Sequence, residues 1–93
     1  GMEEVLAEHV DVAECAVIGK PDEKRTNIVK AFVVLRNSFL PNDETAKTLQ
    51  DYVKNEIAPY KYPREIEFVG KLPKTETGKL QRFRLREKEK ARG

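Results

Sequence analysis

Lys79 stands directly after Gly78 in the run Leu72-Pro73-Lys74-Thr75-Glu76-Thr77-Gly78-Lys79-Leu80-Gln81-Arg82, the densest chemical signal in the chain. Pro73 biases the residue before it toward extended backbone. Thr75, Thr77 and Gly78 are turn formers, and glycine takes positive φ without steric cost, so an anion can approach the backbone closely. A lysine on such a turn brings three donors and a full charge on a flexible stem, which suits it to bridging anionic oxygens. The nucleotide-binding P-loop also contains Gly-Lys. It requires a glycine where Pro73 stands and Ser or Thr where Leu80 stands, so that reading fails. The single cysteine, Cys15, excludes an intrachain disulfide and reads as a buried free thiol of a reducing compartment. One histidine, His9, with no ligand-spaced neighbours, supports neither a metal site nor a Ser-His-Asp or Cys-His set.

The Lys79 run resembles the C-terminal signature of the adenylate-forming superfamily: acyl-CoA synthetases, adenylation domains of peptide synthetases, and luciferases. Two further blocks resemble the same family in order and spacing. One is Ala13-Glu14-Cys15-Ala16-Val17-Ile18-Gly19-Lys20-Pro21-Asp22 followed by Lys30-Ala31-Phe32-Val33-Val34-Leu35, and the other is Ala58-Pro59-Tyr60-Lys61-Tyr62-Pro63-Arg64-Glu65-Ile66-Glu67-Phe68-Val69. The wording of the latter is most similar to medium-chain acyl-CoA synthetases. The resemblance covers essentially the whole chain but only the C-terminal lid of such an enzyme, so residues 1–93 are expected to be one domain of a larger protein. Gly1 before Met2 reads as a scar of tag removal.

The resemblance implies an acid–thiol ligase that forms acyl-AMP and pyrophosphate from a carboxylate and ATP, then acyl-CoA and AMP. It assigns Lys79 to the adenylation step, where carboxylate attacks the α-phosphate. A lysine reaching both groups holds them in line and offsets the developing charge. Thr77 and Gly78 become the turn that positions it, while Lys74 and Glu76 have no catalytic part. In the thioester step the lid swings about a hinge, withdraws the lysine and presents another face to CoA. By the same resemblance Arg25, Lys54, Tyr62, Pro63 and Arg64 fall where CoA contacts occur: Arg and Lys for phosphates, Tyr62 for stacking on adenine or ribose. Arg25 departs from the family's Arg-Gly-Glu, since Thr26 and Asn27 follow it. ATP and CoA are the implied substrates, Mg2+ is implied for the parent enzyme with no metal site in this chain, and the N-terminal adenylation domain is the implied partner. The phosphate loop, acyl pocket, ribose-binding Asp and hinge are not visible, so the fragment alone is expected to be inactive. The cytoplasm, or the mitochondrial matrix of a eukaryote, is the implied compartment.

Composition agrees with a folded domain: 39% hydrophobic and 37% charged residues over 93 positions give a small core under a heavily solvated surface. Such a length buries only about 60–65% of its unfolded surface, too little to enclose a large cavity unaided. No apolar run approaches the ~20 residues of a membrane span. Net charge is +2, yet residues 71–93 carry nine basic against three acidic groups and residues 1–70 nine against thirteen. A basic end seeks an anionic partner. A nucleic-acid module is therefore one alternative, weakened by the lack of clustered aromatics and the acidic first seventy residues. A free-standing interaction domain and the lid of a carrier-protein-dependent adenylation domain are others. The Lys79 turn weighs against the interaction domain, and the Tyr60-Lys61-Tyr62-Pro63-Arg64 wording against the carrier-protein reading.

The elements that must position these residues follow from periodicity. Glu3 to about Val10 reads as a short helix with Met2, Val5, Leu6 and His9 on one side. Ala13, Cys15 and Val17 alternate with Glu14 and Ala16 as in a half-buried strand, which Pro21-Asp22 breaks. Ile28 to Leu35 is a run rich in β-branched and aromatic residues, suited to a central strand covered on both faces. Asn42 or Asp43 caps a helix running to about Ile57, with Leu49, Tyr52, Val53 and Ile57 on one face. Ile66 and Phe68 mark a third strand, and a basic helix starts near Gln81. The expectation is an α+β fold, a small three-stranded sheet with helices packed against it.

Overall fold

The computed structural model describes residues 1–21, 27–36 and 40–92. Its elements run α1 (Met2–Glu8), β1 (Val12–Pro21), β2 (Asn27–Leu35), α2 (Asp43–Glu56), β3 (Glu65–Phe68) and α3 (Arg82–Ala91). β2 is the central strand of a mixed sheet in the order β1-β2-β3, antiparallel to β1 and parallel to β3. A parallel neighbour requires a crossover, and α2 is that crossover. The expected α+β architecture is the one observed.

Strand alternation divides the core into two layers. Ala31 and Val33 point to one face, where Leu6, Val12, Leu49 and Val53 bury them under α1 and α2. Phe32 points to the other and packs with Ala16, Ile18, Leu72 and Leu85 under α3 and the segment before it. β2 is thus covered on both sides, as its predominantly apolar composition predicts. β1 differs from expectation. Cys15 and Val17 are partly covered on the α1 side, but Ala16 and Ile18 are buried on the opposite face and Ala13 is exposed beside a register shift between Val12 and Glu14. The second buried face was hidden because it depends on α3, whose apolar contribution to the core is a single fully covered residue, Leu85.

Local signals behave as their chemistry requires. Asn42 is the N-cap of α2, its side-chain oxygen accepting the Thr45 N–H at 2.9 Å. α1 stops at Glu8 instead of reaching Val10, and His9 turns the chain; its Nδ1 accepts the Asp11 N–H at 3.0 Å and its ring meets Tyr52 edge-on at 4.7 Å. Glu3 covers the exposed edge of β1, its Oε2 accepting the Val17 N–H at 2.9 Å. Cys15 is half-buried, with Sγ against the Glu3 carbonyl at 3.3 Å. Burial, then the nearby Glu3 and Glu4 charges, push its thiol pKa up to about 11.

One feature of the core is ionic. Lys30 sits mid-strand with its side chain 7% exposed and bonds Glu89 of α3 at 2.7 Å and Glu67 of β3 at 3.0 Å. Lys20 joins Glu65 at 2.9 Å and Glu89 at 3.2 Å, Lys88 joins Glu67 at 3.1 Å, and Arg92 reaches both Glu67 and Glu89. Hydrogen bonds from Arg92, opposed by burial and reinforced by Lys30 and Lys88, hold the Glu67 carboxyl well below the usual carboxylate range. Together these groups fasten α3 to the sheet.

Candidate functional site

The Lys79 turn is built by hydrogen bonds between the two legs of a hairpin. Lys74 and Leu80 form a bridge, the Thr75 N–H reaches the Lys79 carbonyl at 2.9 Å, and the Gln81 N–H reaches the Pro73 carbonyl at 2.9 Å. The Gly78 N–H closes the turn on the Thr75 carbonyl at 2.9 Å. Gly78 has φ +87°, the sole positive φ among the described residues, and a Cβ there would meet nothing within 4 Å. The demand for glycine is therefore conformational, not steric crowding. The Thr75 and Thr77 hydroxyls share a hydrogen bond at 3.0 Å, and Thr75 Oγ1 also accepts the Lys79 N–H at 3.0 Å. Thr75 is thus the organising side chain, whereas the sequence alone reads it only as a turn former and gives the supporting role to Thr77 and Gly78. Its signal was the threonine that opens the turn, a residue type that bonds nearby backbone N–H groups.

Leu72 and Leu80 at the hairpin's base pack into the α3-side core, so the apolar end is anchored while the tip faces solvent. Lys79 is exposed. Its neighbours Lys74 and Arg82 are ion-paired with Glu14 and Glu3, whereas Lys79 has no ion-pair partner among the described residues. A free ammonium on a defined turn is available to an anion approaching from outside the domain.

A second constellation forms on the other face. Lys54 Nζ lies 4.2 Å from the Tyr62 ring centroid and the Arg64 guanidinium carbon lies 4.2 Å from it, with an Arg64 nitrogen donating to the Tyr62 hydroxyl. Tyr62 packs partly against the α1/α2-side core. The cations therefore already occupy the ring, and Tyr62 holds two positive groups together at least as much as it offers a free stacking face. Pro63 is fully buried, and Gln50 Nε2 donates to its carbonyl at 2.9 Å and to that of Arg64 at 3.3 Å. Pro63 fixes the backbone between Tyr62 and Arg64 instead of presenting its own ring. Arg25 lies outside the described residues. Of the residues expected to meet CoA, Lys54, Tyr62 and Arg64 converge, and they do so across the sheet from the Lys79 hairpin's anchors.

Among the described residues no group of three or more His, Cys, Asp or Glu side chains is arranged to hold a metal ion. The acids that do cluster, Glu65, Glu67 and Glu89, are occupied by lysine and arginine. This cluster and its buried Lys30 were missed at the sequence level. The available signal was a charged residue inside an otherwise apolar strand.

Comparison with known proteins places this geometry. The profile of the AMP-binding enzyme C-terminal domain matches residues 1–79. The chain is 57% identical over 90 residues to human mitochondrial acyl-coenzyme A synthetase ACSM2A, covering 95% of this chain and 16% of that protein. It is 54% identical over 88 residues to an uncharacterized acyl-CoA ligase of Bacillus subtilis, YtcI, again covering 95% of this chain and 17% of the relative. A crystal structure of a Brucella canis acyl-CoA synthetase superposes with a TM-score of 0.93 at 47% identity, covering 98% of this chain and 17% of that one. A benzoate CoA ligase from Burkholderia xenovorans superposes with a TM-score of 0.84 at 48% identity, covering 91% and 17%. The chain therefore spans about a sixth of the length of the relatives it matches. With its Lys79 hairpin, its mixed sheet and this similarity over nearly all its residues, the chain belongs to the AMP-binding enzyme C-terminal domain family.

Proposed function

We propose that this domain is the lid of an ATP-dependent acyl-CoA synthetase and that Lys79 is its adenylation lysine. The observation that carries the reading is the exposed ammonium of Lys79, without an ion-pair partner among the described residues, on a turn whose shape is set by Gly78, Thr75 and Thr77. Adenylation needs a cation that reaches a substrate carboxylate and the α-phosphate of ATP together, lines them up, and offsets charge growing on their oxygens. Lys79 needs to exchange no proton for this. Its ammonium persists throughout, and the turn presents it to a pocket formed by an N-terminal domain. ATP and CoA are the co-substrates, and Mg2+ is expected to accompany ATP in the parent enzyme.

Lys54, Tyr62 and Arg64 form the part of the CoA surface that this domain supplies, two cations gathered on one aromatic ring for phosphate oxygens. Their place across the sheet from the Lys79 hairpin supports a division of labour in which rotating the domain withdraws one surface and presents the other. On this reading the isolated chain binds its ligands poorly and turns nothing over, because each surface is half of a site.

The test is to assay the half-reactions separately in a full-length acyl-CoA ligase carrying this domain. Lys79→Ala is expected to lower acyl-AMP formation by about 10²–10³ and to spare thioester formation from preformed acyl-AMP. Equal loss in both would refute the assignment. Arg64→Ala is expected to raise the apparent KM for CoA more than that for ATP.

A further inference from the structure

The hairpin that carries Lys79 is tied down at both ends by carboxylates distant in sequence. On the entering leg Lys74 Nζ pairs with Glu14 of β1, 60 residues away. Just past the leaving leg, Arg82, the first residue of α3, pairs through its guanidinium with Glu3 of α1, 79 residues away. Glu3 is itself fixed, because its Oε2 is held by the Val17 N–H of β1 at 2.9 Å and only Oε1 faces Arg82. Both tethers thus end on the same edge strand, Glu14 as a member of it and Glu3 through its bond to it.

We propose that Glu3 and Glu14 are positioning residues for Lys79, setting the bearing of its hairpin on the sheet. The inference rests on the reading of Lys79 as the adenylation lysine. Backbone bonds between the legs define the hairpin's shape but not its orientation on the domain. Leu72 and Leu80 anchor it, yet apolar contact is non-directional and leaves the hairpin free to rock about its base. Two ion pairs, one on the entering leg and one just past the leaving leg, fasten both ends of the hairpin to the β1 edge and restrain that rocking. A charge displaced by about 1 Å from two reacting groups can cost on the order of 10² in rate, so a small gain in bearing matters more for chemistry than for stability. The pairing of Lys74 with a β1 carboxylate also gives a role to the lysine beside the turn.

Glu3→Gln, Glu14→Gln and the double variant are to be made in a full-length ligase carrying this domain, together with the charge-reversed pair Glu14→Lys with Lys74→Glu. Each single variant is expected to lower the rate of ATP–pyrophosphate exchange about two- to fivefold, the rate equivalent of an exposed ion pair, and the double variant about tenfold. Thioester formation from preformed acyl-AMP is expected to stay unchanged, and the reversed pair to restore exchange. In parallel, residual dipolar couplings of the hairpin amides in the 93-residue chain read its bearing on the sheet without any chemistry. In the double variant the couplings of Thr75, Gly78 and Lys79 are expected to be averaged toward smaller values while those of Ala31 and Val33 in β2 stay unchanged. Unchanged hairpin couplings with unchanged pyrophosphate exchange would overturn the proposal, as would equal loss in both half-reactions, which marks general destabilisation. Should Lys79→Ala leave adenylation intact, the functional reading fails, and the dipolar couplings still decide whether the two carboxylates hold the hairpin.

Discussion

Removing Glu89 should cost far more stability than removing the buried lysine it pairs with. The network holds four cations, Lys20, Lys30, Lys88 and Arg92, against three carboxylates, Glu65, Glu67 and Glu89. Glu89→Gln leaves four against two and strips Lys30 of its nearest partner at 2.7 Å, with only Glu67 at 3.0 Å close and Glu65 loosely placed at 3.9 Å. Lys30 cannot reach water to compensate, since its side chain is 7% exposed. Breaking a buried pair from one side typically costs about 3–5 kcal/mol; with a second carboxylate retained, about 2–3 kcal/mol is expected here. Lys30→Met instead leaves three cations against three carboxylates, and Glu89 keeps Lys20 at 3.2 Å and Arg92 at 3.1 Å. The methionine fills similar volume beside Phe32, so that cost should stay below about 1.5 kcal/mol. For a domain of this size each kcal/mol moves Tm by about 4–8 °C, so Glu89→Gln should melt roughly 10–20 °C below the parent and well below Lys30→Met. Thermal and urea unfolding of the 93-residue chain measures both. If Lys30→Met proves the more damaging, or Glu89→Gln stays within about 0.5 kcal/mol of the parent, the charge-balance reasoning is wrong.

The same network sets the acid limit. Glu67 has a folded pKa depressed below its ordinary value of 4.5, so its contribution is present above that pH and is lost as pH falls below it toward the folded value; urea midpoints of Glu67→Gln should accordingly fall less between pH 5 and 3 than those of the parent. Gly78→Ala forces a left-handed φ on a residue with a Cβ, at about 1–2 kcal/mol locally, which should appear as faster amide exchange at Gly78 and Lys79 and as lost adenylation, with global unfolding little changed. Asn42→Ala removes the cap of α2 and should cost about 1 kcal/mol in urea unfolding. Cys15, its pKa raised to about 11, should react with iodoacetamide at pH 8 far more slowly than a free thiol and at the free-thiol rate in denaturant.

Local chemistry made much of this protein legible in its residues. The Asn42 cap, the glycine demanded at position 78, the doubly apolar run of β2 and the Leu49/Val53 stripe of α2 each depend on neighbours within a few positions, so sequence order carries them. The Lys79 turn was readable for the same reason: a turn is a local object, and the lysine proposed for adenylation sits inside it. What sequence could not carry is pairing between distant segments. Which carboxylate each cation meets was decided only when α3 crossed the sheet and brought Glu89 to Lys30, 59 residues away. The second buried face of β1 was settled by that same docking. Glu3 and Glu14 look like ordinary surface acids until folding places them beside Arg82 and Lys74. The gathering of Lys54 and Arg64 on Tyr62 likewise needed α2 to return against the strand-entry loop. Charge pairs are specific in space but nearly silent in sequence, because any of thirty-four charged residues could serve any other until the backbone fixes their separation.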